Sequence, residues 1–269
     1  MQVESVDAQT LTPVVRAATG NAALEISRWT CTPIHAGGGA ATGGIYRFSG
    51  EAGDGPAGHP WSVILKVVQI QEDGADTAGS DDWRREAFAY SSSELQHLPP
   101  GVGAPRCFGV LEHGHERWLW LEDLTEPERQ WSLDHYCAAS RCLGKFNGAY
   151  LAGRAVPSDS WWSHGWLRSY VESAAPALDR LPALMKHPLI QRLFPDRAAD
   201  QVGQVWARRT TLLDYLDRAP QTFCHLDANR RKLFLRVDTA GRQELRLVDW
   251  AFAGSAPIGQ ELTALVVGS

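Results

Sequence analysis

Two aspartates in the C-terminal part of the sequence each follow a short apolar segment. Asp227 ends "TFCHLD", and Asp249 ends "LRLVD". A carboxylate at the end of a strand can accept a proton from a hydroxyl group, and an aspartate after an apolar strand is a common metal ligand. We therefore predict that Asp227 acts on a hydroxyl and that Asp249 binds a metal ion. For His225, in the same segment, we expect hydrogen bonds that hold the loop in place.

A lysine and a glutamate earlier in the chain form a second pair of candidates. Lys66 lies in the apolar segment "VILKVV", and Glu86 follows in "WRREAFAY". Because burying an unpaired ammonium group is costly, a buried Lys66 needs an anionic partner, and Glu86 is the candidate. Two alternatives stay open: Lys66 on an edge strand could extend its ammonium group to solvent, and Glu86 could be an ordinary surface residue.

A glycine-rich segment precedes both of them. The segment "IHAGGGAATGGIYRF" contains Gly38 and Gly39 between two predicted strands. Glycine lets the backbone approach a phosphate closely and turn its N–H groups toward the anion. The alternative is an ordinary hairpin turn, and the segment is not a Walker loop because no GK[ST] follows it.

The order of these features matches the parts that phosphoryl transfer requires. A glycine loop covers the phosphates, and a lysine paired with a glutamate grips the α- and β-phosphates. Asp227 then orients a hydroxyl, and Asp249 holds Mg²⁺. We therefore expect a site that transfers a phosphoryl group.

The motifs resemble those of the aminoglycoside phosphotransferase family, close to the choline kinase-like enzymes and built on the protein-kinase-like fold. That family carries "HGDxxxxN" followed by "DWE" or "DxD", and this chain has "HLDANRRK" and "VDWAFAG". The segment "WRREAFAY" resembles the glutamate helix of the family. The segment "LGKFNGAYL" resembles another helix, with Asn147 where histidine is common. In "PIGQEL", Glu261 stands nearest to an acidic position of the family.

The resemblance also implies where the nucleotide binds. The segment "WLWLEDL" is similar to the one that joins the two lobes in this family. By this resemblance, the backbone of Leu121, Glu122 and Asp123 contacts the adenine ring. The implied cofactors are ATP, or GTP, and Mg²⁺.

The implied activity is transfer of the γ-phosphate to a hydroxyl of a small molecule. Acceptors of the family include aminoglycoside-like antibiotics, amino alcohols and sugars, and the fold does not choose among them. A protein kinase is a weaker interpretation, because "HLD" lacks the arginine of "HRD" and no APE-like segment follows Asp249.

Lys232 departs from the family pattern, which has asparagine at this position as a metal ligand. A lysine has three donors and no acceptor, so it cannot bind Mg²⁺, and Asn229 is in the wrong place for a simple exchange. Lys232 could replace a metal by neutralising the phosphates directly, or the position could have been altered. The third explanation is the alternative function, a catalytically impaired, nucleotide-binding pseudokinase.

The elements predicted around these residues form an α+β protein with two lobes. We place a small antiparallel-sheet lobe with the nucleotide-binding loop at residues 1–124, and a larger, mainly helical lobe with the catalytic loop at 125–269. Strands are predicted in "EISRWTCTPI", "IYRFSG" and "WSVILKVVQI", and a hairpin in "RCFGVLEHGHERWLWLEDL". Beyond "TALVVGS", the resemblance leads us to expect further helices that complete an acceptor pocket.

Composition restricts the class of partner. The formal net charge is -5, with 44% hydrophobic and 21% charged residues. This balance argues against a nucleic-acid partner and favours a cationic small molecule.

The five cysteines lack CxxC spacing, which indicates free thiols in a reducing cytoplasm. No segment predicts a secretory signal or a membrane span.

Overall fold

The computed structural model describes residues 6–35, 42–52, 59–70, 84–125, 130–194, 197–237 and 241–267. Gly38 and Gly39 lie outside the described residues, so their predicted phosphate contacts stay a prediction. An antiparallel sheet near the N-terminus precedes a mainly helical region that contains two smaller sheets. The predicted α+β fold class, with its sheet-rich N-terminal and helical C-terminal parts, is confirmed.

The larger sheet has five antiparallel strands in the order β1-β2-β3-β6-β5. Its strands are β1 (Trp29–His35), β2 (Thr42–Ala52), β3 (His59–Gln69), β5 (Cys107–His113) and β6 (Glu116–Glu122). Strands β5 and β6 form the hairpin that the sequence predicted. Because strand side chains alternate between faces, Val63, Leu65 and Val67 pack on one face of β3. Ile64 and Val68 pack on the other face, against the core shared with the C-terminal part.

A helix that the sequence reading missed covers the first of these faces. Helix α1 (Ala8–Thr19) begins after Asp7, whose side chain accepts a hydrogen bond from the Thr10 amide. Its apolar residues Leu11, Val14 and Val15 join the core of the sheet. Pro13 and the β-branched residues lower helix propensity, but the i, i+3, i+4 spacing and the cap were a usable signal.

Two short elements lie between β3 and β5 in the sequence. Helix α2 (Arg85–Ser91) is shorter than predicted, and most of its residues are buried. The sequence predicts this helix over "DWRREAFAYSSSEL" with Asp81 or Asp82 as its cap, and both aspartates lie outside the described residues. Strand β4 (Val102–Gly103) pairs in parallel with β10 of the C-terminal part.

The C-terminal part is built on one long helix, α3 (Leu133–Leu151), which starts with a capping box between Ser132 and His135. The further helices are α4 (Trp166–Ser173), α5 (Ala175–Asp179), α6 (Leu181–Leu184), α7 (Pro188–Leu193), α8 (Ala198–Ala207), α9 (Arg209–Asp217) and α10 (Gln260–Val267). The segment "QVGQVWARRTTLLDYLDRA" predicts one continuous helix, but α8 and α9 are separate helices. The break is at Arg208, whose φ and ψ of -100° and 2° are not α-helical.

Two three-stranded sheets carry the loops of the site. Besides β4, their strands are β7 (Ser163–His164), β8 (Gln221–Cys224), β9 (Leu233–Val237), β10 (Gln243–Leu247) and β11 (Gly254–Pro257). Strand β10 pairs with β4 and β9, and β11 pairs with β7 and β8. At Gly254 an added Cβ would lie 2.0 Å from the Ser163 carbonyl oxygen, so this close strand approach requires glycine.

The main hydrophobic core joins both parts of the chain. It contains Leu119 and Leu121 from the large sheet together with Leu143, Phe146 and Trp250 from the C-terminal part. The predicted boundary after residue 124 therefore crosses a shared core and stays a prediction. Phe146 belongs to the predicted apolar face of α3, but Leu133, in the first turn, is exposed.

Two further observations concern the state of the cysteines and the suitability of the helices for spanning a membrane. All five cysteines are free, as predicted, and two of them, Cys142 and Cys224, are buried. Among the described residues, no helix combines the length and the apolar character that a bilayer crossing requires.

Candidate active site

Five charged side chains with alternating signs form one continuous chain of contacts, Glu86–Lys66–Asp249–Lys232–Asp227, which we call the ion-pair row. The Lys66 Nζ atom lies 2.5 Å from Glu86 Oε2 and 2.7 Å from Asp249 Oδ1. The Lys232 Nζ atom lies 2.5 Å from Asp249 Oδ2 and also contacts Asp227 Oδ2. The structure thus brings together five residues that the sequence analysis had singled out from four separate segments.

The alternation of β3 positions Lys66. Its side chain lies on the same face as Ile64 and Val68, toward the C-terminal part, and is 7% exposed. Strand β3 lies between β2 and β6, so the alternative of an edge-strand lysine in solvent is wrong. Glu86, on α2, is 3% exposed, so it is not a surface residue but the buried partner that Lys66 needs.

Along the ion-pair row, burial and ion pairing have opposite effects on the pKa values of the side chains. Burial acts to lower the pKa of Lys66, but the carboxylates of Glu86 and Asp249 outweigh it and hold that pKa above its usual value. Burial likewise acts to raise the pKa of Asp249, but the ammonium groups of Lys66 and Lys232 keep it well below the usual range. Lys66 and Asp249 are therefore both charged at neutral pH.

The loop after β8 turns sharply to present Asp227. Leu226 has φ of 67°, a left-handed conformation that is rare for a bulky residue. His225 makes the hydrogen bonds that we expected. The Asp227 amide donates to His225 Nδ1 at 3.3 Å, so the proton is on Nε2, which donates to the Val248 carbonyl oxygen at 3.0 Å. Burial lowers the pKa of His225 to about 4, so this tautomer is neutral.

Glu261 of α10 stabilises the same loop, the one that contains His225 and Asp227, by hydrogen bonds. Its Oε1 atom accepts hydrogen bonds from the amides of His225 and Leu226. Glu261 is fully buried, and burial raises its pKa to about 7. At the acidic position that the resemblance indicated, Glu261 thus supports the loop that presents Asp227, next to the left-handed Leu226.

The charge of Glu261 should make stability depend on pH. Because burial raises the pKa of Glu261 from its ordinary value of 4.5 to about 7 in the folded protein, the folded state holds the proton more tightly than the unfolded state. Its contribution to stability is complete below the unfolded pKa and is lost as pH rises to the folded pKa. Between about pH 5 and about pH 7.5, the native chain should lose about 2 kcal/mol relative to the Glu261→Gln variant.

Urea unfolding of both chains at the two pH values measures this difference. His225 titrates in both chains, so its own contribution cancels in the comparison. A stability difference that stays constant with pH would show that Glu261 is not buried as a protonated carboxyl.

Two further residues, Asn147 and Arg85, stabilise the loops of the site, and Arg85 was not among the residues predicted from the sequence. Asn147 of α3 donates to the Phe223 carbonyl oxygen at 3.0 Å and so fixes β8. Arg85, next to Glu86, is fully buried and donates to the carbonyl oxygens of Trp161 at 2.9 Å and Ala251 at 2.8 Å. Arg85 thereby ties α2 to the turn that follows Asp249.

Asp249 itself adopts a left-handed conformation, with φ of 69°. It follows β10 and precedes a 3₁₀ turn, Trp250–Phe252. On one side the Val248 amide donates to the Lys232 carbonyl oxygen at 3.1 Å, and on the other the turn is held by Arg85. A non-glycine residue in this region is costly, and here it directs the Asp249 carboxylate between two ammonium groups.

The segment predicted to contact adenine lies at the end of β6. Leu121 faces the shared core, and the Glu122 amide donates to the Arg106 carbonyl oxygen at 2.9 Å. The Asp123 carboxylate accepts two hydrogen bonds from Arg47, at 2.7 Å and 3.0 Å. These contacts within the protein hold the segment in place. Adenine binding by its backbone stays a prediction.

The site as arranged does not fit Mg²⁺. Both oxygens of Asp249 contact ammonium groups, those of Lys66 and Lys232. The two oxygens of Asp227 accept from Asn229 Nδ2, at 2.8 Å, and from Lys232. Mg²⁺ requires oxygen ligands, and each of these four atoms already contacts an N–H donor, which for three of them is an ammonium group that would repel the metal ion. The described residues also contain no group of three or more His, Cys, Asp or Glu side chains suited to a metal.

Solved structures that are similar to this chain include two small-molecule phosphotransferases. The chain is 12% identical to APH(2'')-IIa, an aminoglycoside phosphotransferase solved with streptomycin and ATP, with a TM-score of 0.45 over 96% of this chain and 74% of that one. It is 10% identical to a Plasmodium vivax ethanolamine kinase, with a TM-score of 0.37 over 95% of this chain and 66% of that one. No protein-family model and no curated protein matches the sequence. Because both TM-scores are low, we base the proposed function on the ion-pair row.

Proposed function

We propose that the protein binds a nucleoside triphosphate, ATP or GTP, at the ion-pair row and transfers its γ-phosphoryl group to a hydroxyl of a small molecule. The observation that carries this proposal is the row itself. It runs from a buried end at Glu86, 3% exposed, to an accessible end at Asp227, 26% exposed. A fixed, charged lysine at the inner end suits phosphate binding, and a carboxylate at the open end suits a hydroxyl.

Three residues of the row, Glu86, Lys66 and Asp227, have a direct role in this proposal. Glu86 holds the Lys66 ammonium group in place, and Lys66 neutralises phosphate oxygens. Asp227 accepts a hydrogen bond from the acceptor hydroxyl and takes its proton as the new P–O bond forms. The bond from the γ-phosphorus to the bridging oxygen breaks at the same time, and the nucleoside diphosphate leaves. The protein contributes mainly positioning and charge neutralisation.

A cationic acceptor is part of the proposal. The net charge of the chain is -5, which raises the local concentration of cations near the protein. We therefore expect amine-bearing alcohols to be better acceptors than uncharged sugars. An acceptor screen that measures nucleoside diphosphate release at low and high salt tests this expectation.

A second function is favoured by Lys232. Because its ammonium group contacts both Asp227 and Asp249, it could block the hydroxyl site, and the protein would then bind a nucleotide without transferring phosphate. In this alternative, the protein still binds the nucleotide and lacks only the transfer step. It is distinguished by the acceptor screen, in which such a protein would release no nucleoside diphosphate.

Nucleotide binding is tested first, by thermal unfolding with ATP or GTP, each with Mg²⁺ or with EDTA. A ligand that binds only the folded state at ~100 times its dissociation constant adds roughly 2.7 kcal/mol of stability. We expect such a stabilisation from at least one nucleotide. No change in the unfolding temperature with either nucleotide, under both conditions, would contradict the proposed function.

A further inference from the structure

Lys232 lies between two carboxylates that would repel each other without a cation between them. Its Nζ atom is 2.5 Å from Asp249 Oδ2 and contacts Asp227 Oδ2. The backbone of Lys232 is fixed on both sides. Its amide donates to the Asn229 carbonyl oxygen at 2.9 Å, and its carbonyl oxygen accepts from the Val248 amide at 3.1 Å. The ammonium group is therefore held where a cation that bridges Asp227 and Asp249 would lie.

We propose that the Lys232 ammonium group replaces the divalent cation of this site, so that the protein binds its nucleoside triphosphate without Mg²⁺. The inference rests on the proposed function, because the nucleotide is the ligand that the ammonium group would contact. It also explains why a lysine can stand at a position where a metal-binding site would need an oxygen atom.

The donor count of Lys232 supports this role. An ammonium group has three N–H donors, and the two carboxylates use two of them, which leaves one for a phosphate oxygen. The side chain is 21% exposed, so a phosphate can reach it. The Nζ atom also lies 5.9 Å from the centre of the Phe252 ring, an aromatic face that favours a cation.

The charge of the row supports the exclusion of a metal ion. Burial acts to lower the pKa of Lys232, but the carboxylates of Asp249 and Asp227 outweigh it and raise that pKa above the usual value. The ammonium group is thus charged at neutral pH. Three carboxylates and two ammonium groups leave the row with a single negative charge. A divalent cation would therefore meet two fixed positive charges at close range.

The first test uses Mn²⁺ alone, without nucleotide, and measures bound Mn²⁺ by electron paramagnetic resonance. We expect no Mn²⁺ site in the native chain and a new site in Lys232→Asn, which removes the ammonium group and adds a carbonyl oxygen. Lys186→Asn, the same exchange at an exposed lysine, is the matched control and should bind as little Mn²⁺ as the native chain. Binding of Mn²⁺ by the native chain that is lost in Asp249→Asn would overturn the proposal.

The second test measures ATP and GTP affinity by calorimetry, with EDTA and with Mg²⁺. The native chain and Lys186→Asn should bind with similar affinity in both. Lys232→Asn should bind about tenfold more weakly in EDTA and recover when Mg²⁺ is added. Native affinity that requires Mg²⁺ would overturn this inference and leave the proposed function standing. No nucleotide binding by any chain would overturn the proposed function, and this inference with it.

Discussion

Replacing Asp227 with asparagine is expected to slow phosphoryl transfer by about 10²–10⁴-fold, the usual contribution of a positioned acid or base. Nucleotide affinity should stay within about threefold of the native value, a change of under 1 kcal/mol. The amide oxygen of the variant can still accept from Lys232, so the ion-pair row keeps its outer contact. What the variant loses is the carboxylate that orients the hydroxyl and takes its proton.

The measurement is the rate of nucleoside diphosphate release with a saturating acceptor, together with nucleotide affinity. Asp179→Asn, at an exposed aspartate of α5, is the matched control and should leave both values unchanged. If Asp227→Asn retains the native rate, Asp227 does not act on the hydroxyl. If affinity falls with the rate, its role is in nucleotide binding instead.

Replacing Lys66 with methionine is expected to reduce the free energy of unfolding by about 3–5 kcal/mol. Glu86 is 3% exposed, and Lys66 is its ion-pair partner. Removing the ammonium group therefore leaves a buried carboxylate uncompensated, whereas Asp249 keeps the contact with Lys232. Urea unfolding of the two chains measures the loss.

The double variant Lys66→Met with Glu86→Leu separates pairing from packing. Replacing both members of a buried ion pair by apolar residues is often nearly neutral, so the double variant should recover most of the stability lost in Lys66→Met. Lys145→Met, at an exposed lysine, should change stability by less than about 0.5 kcal/mol. A loss of under about 1 kcal/mol in Lys66→Met would contradict the view that Glu86 is a buried carboxylate that depends on the charge of Lys66.

The pairing of Lys66 with Glu86 could be predicted from the sequence because burial imposes a strict requirement. A lysine among apolar residues of a strand must either reach solvent or meet a carboxylate. The sequence could not say which, because that depends on whether β3 lies at the edge or in the middle of the sheet. Because β3 pairs with both β2 and β6, it lies in the middle of the sheet, and Lys66 must therefore meet a carboxylate.

The bridging position of Lys232 could not be predicted from the sequence. The sequence shows a lysine where the family has asparagine, but not where its ammonium group lies. The register of the β9–β10 hairpin pairs Leu233 with Leu247, and this places Lys232 beside Val248. The ammonium group thereby reaches Asp249, seventeen positions further along the chain.

The role of Arg85 could not be predicted from the sequence either. In "WRREAFAY" two arginines precede the glutamate, and nothing local shows which of them is buried. The contacts of Arg85 with the carbonyl oxygens of Trp161 and Ala251 come from segments far away in the sequence. Short segments such as β4, β7 and β11 were missed for the same reason, because pairing partners and not local propensity determine them.

The central claim is that a nucleotide binds at the ion-pair row, and calorimetric titration of ATP and GTP tests it most directly. The native chain is compared with the double variant Lys66→Met with Glu86→Leu, which removes the inner end of the row without leaving a buried charge. We expect the native chain to bind at least one nucleotide and the double variant to bind it at least about tenfold more weakly. Equal affinity in a folded double variant, or no binding by the native chain, would contradict the account.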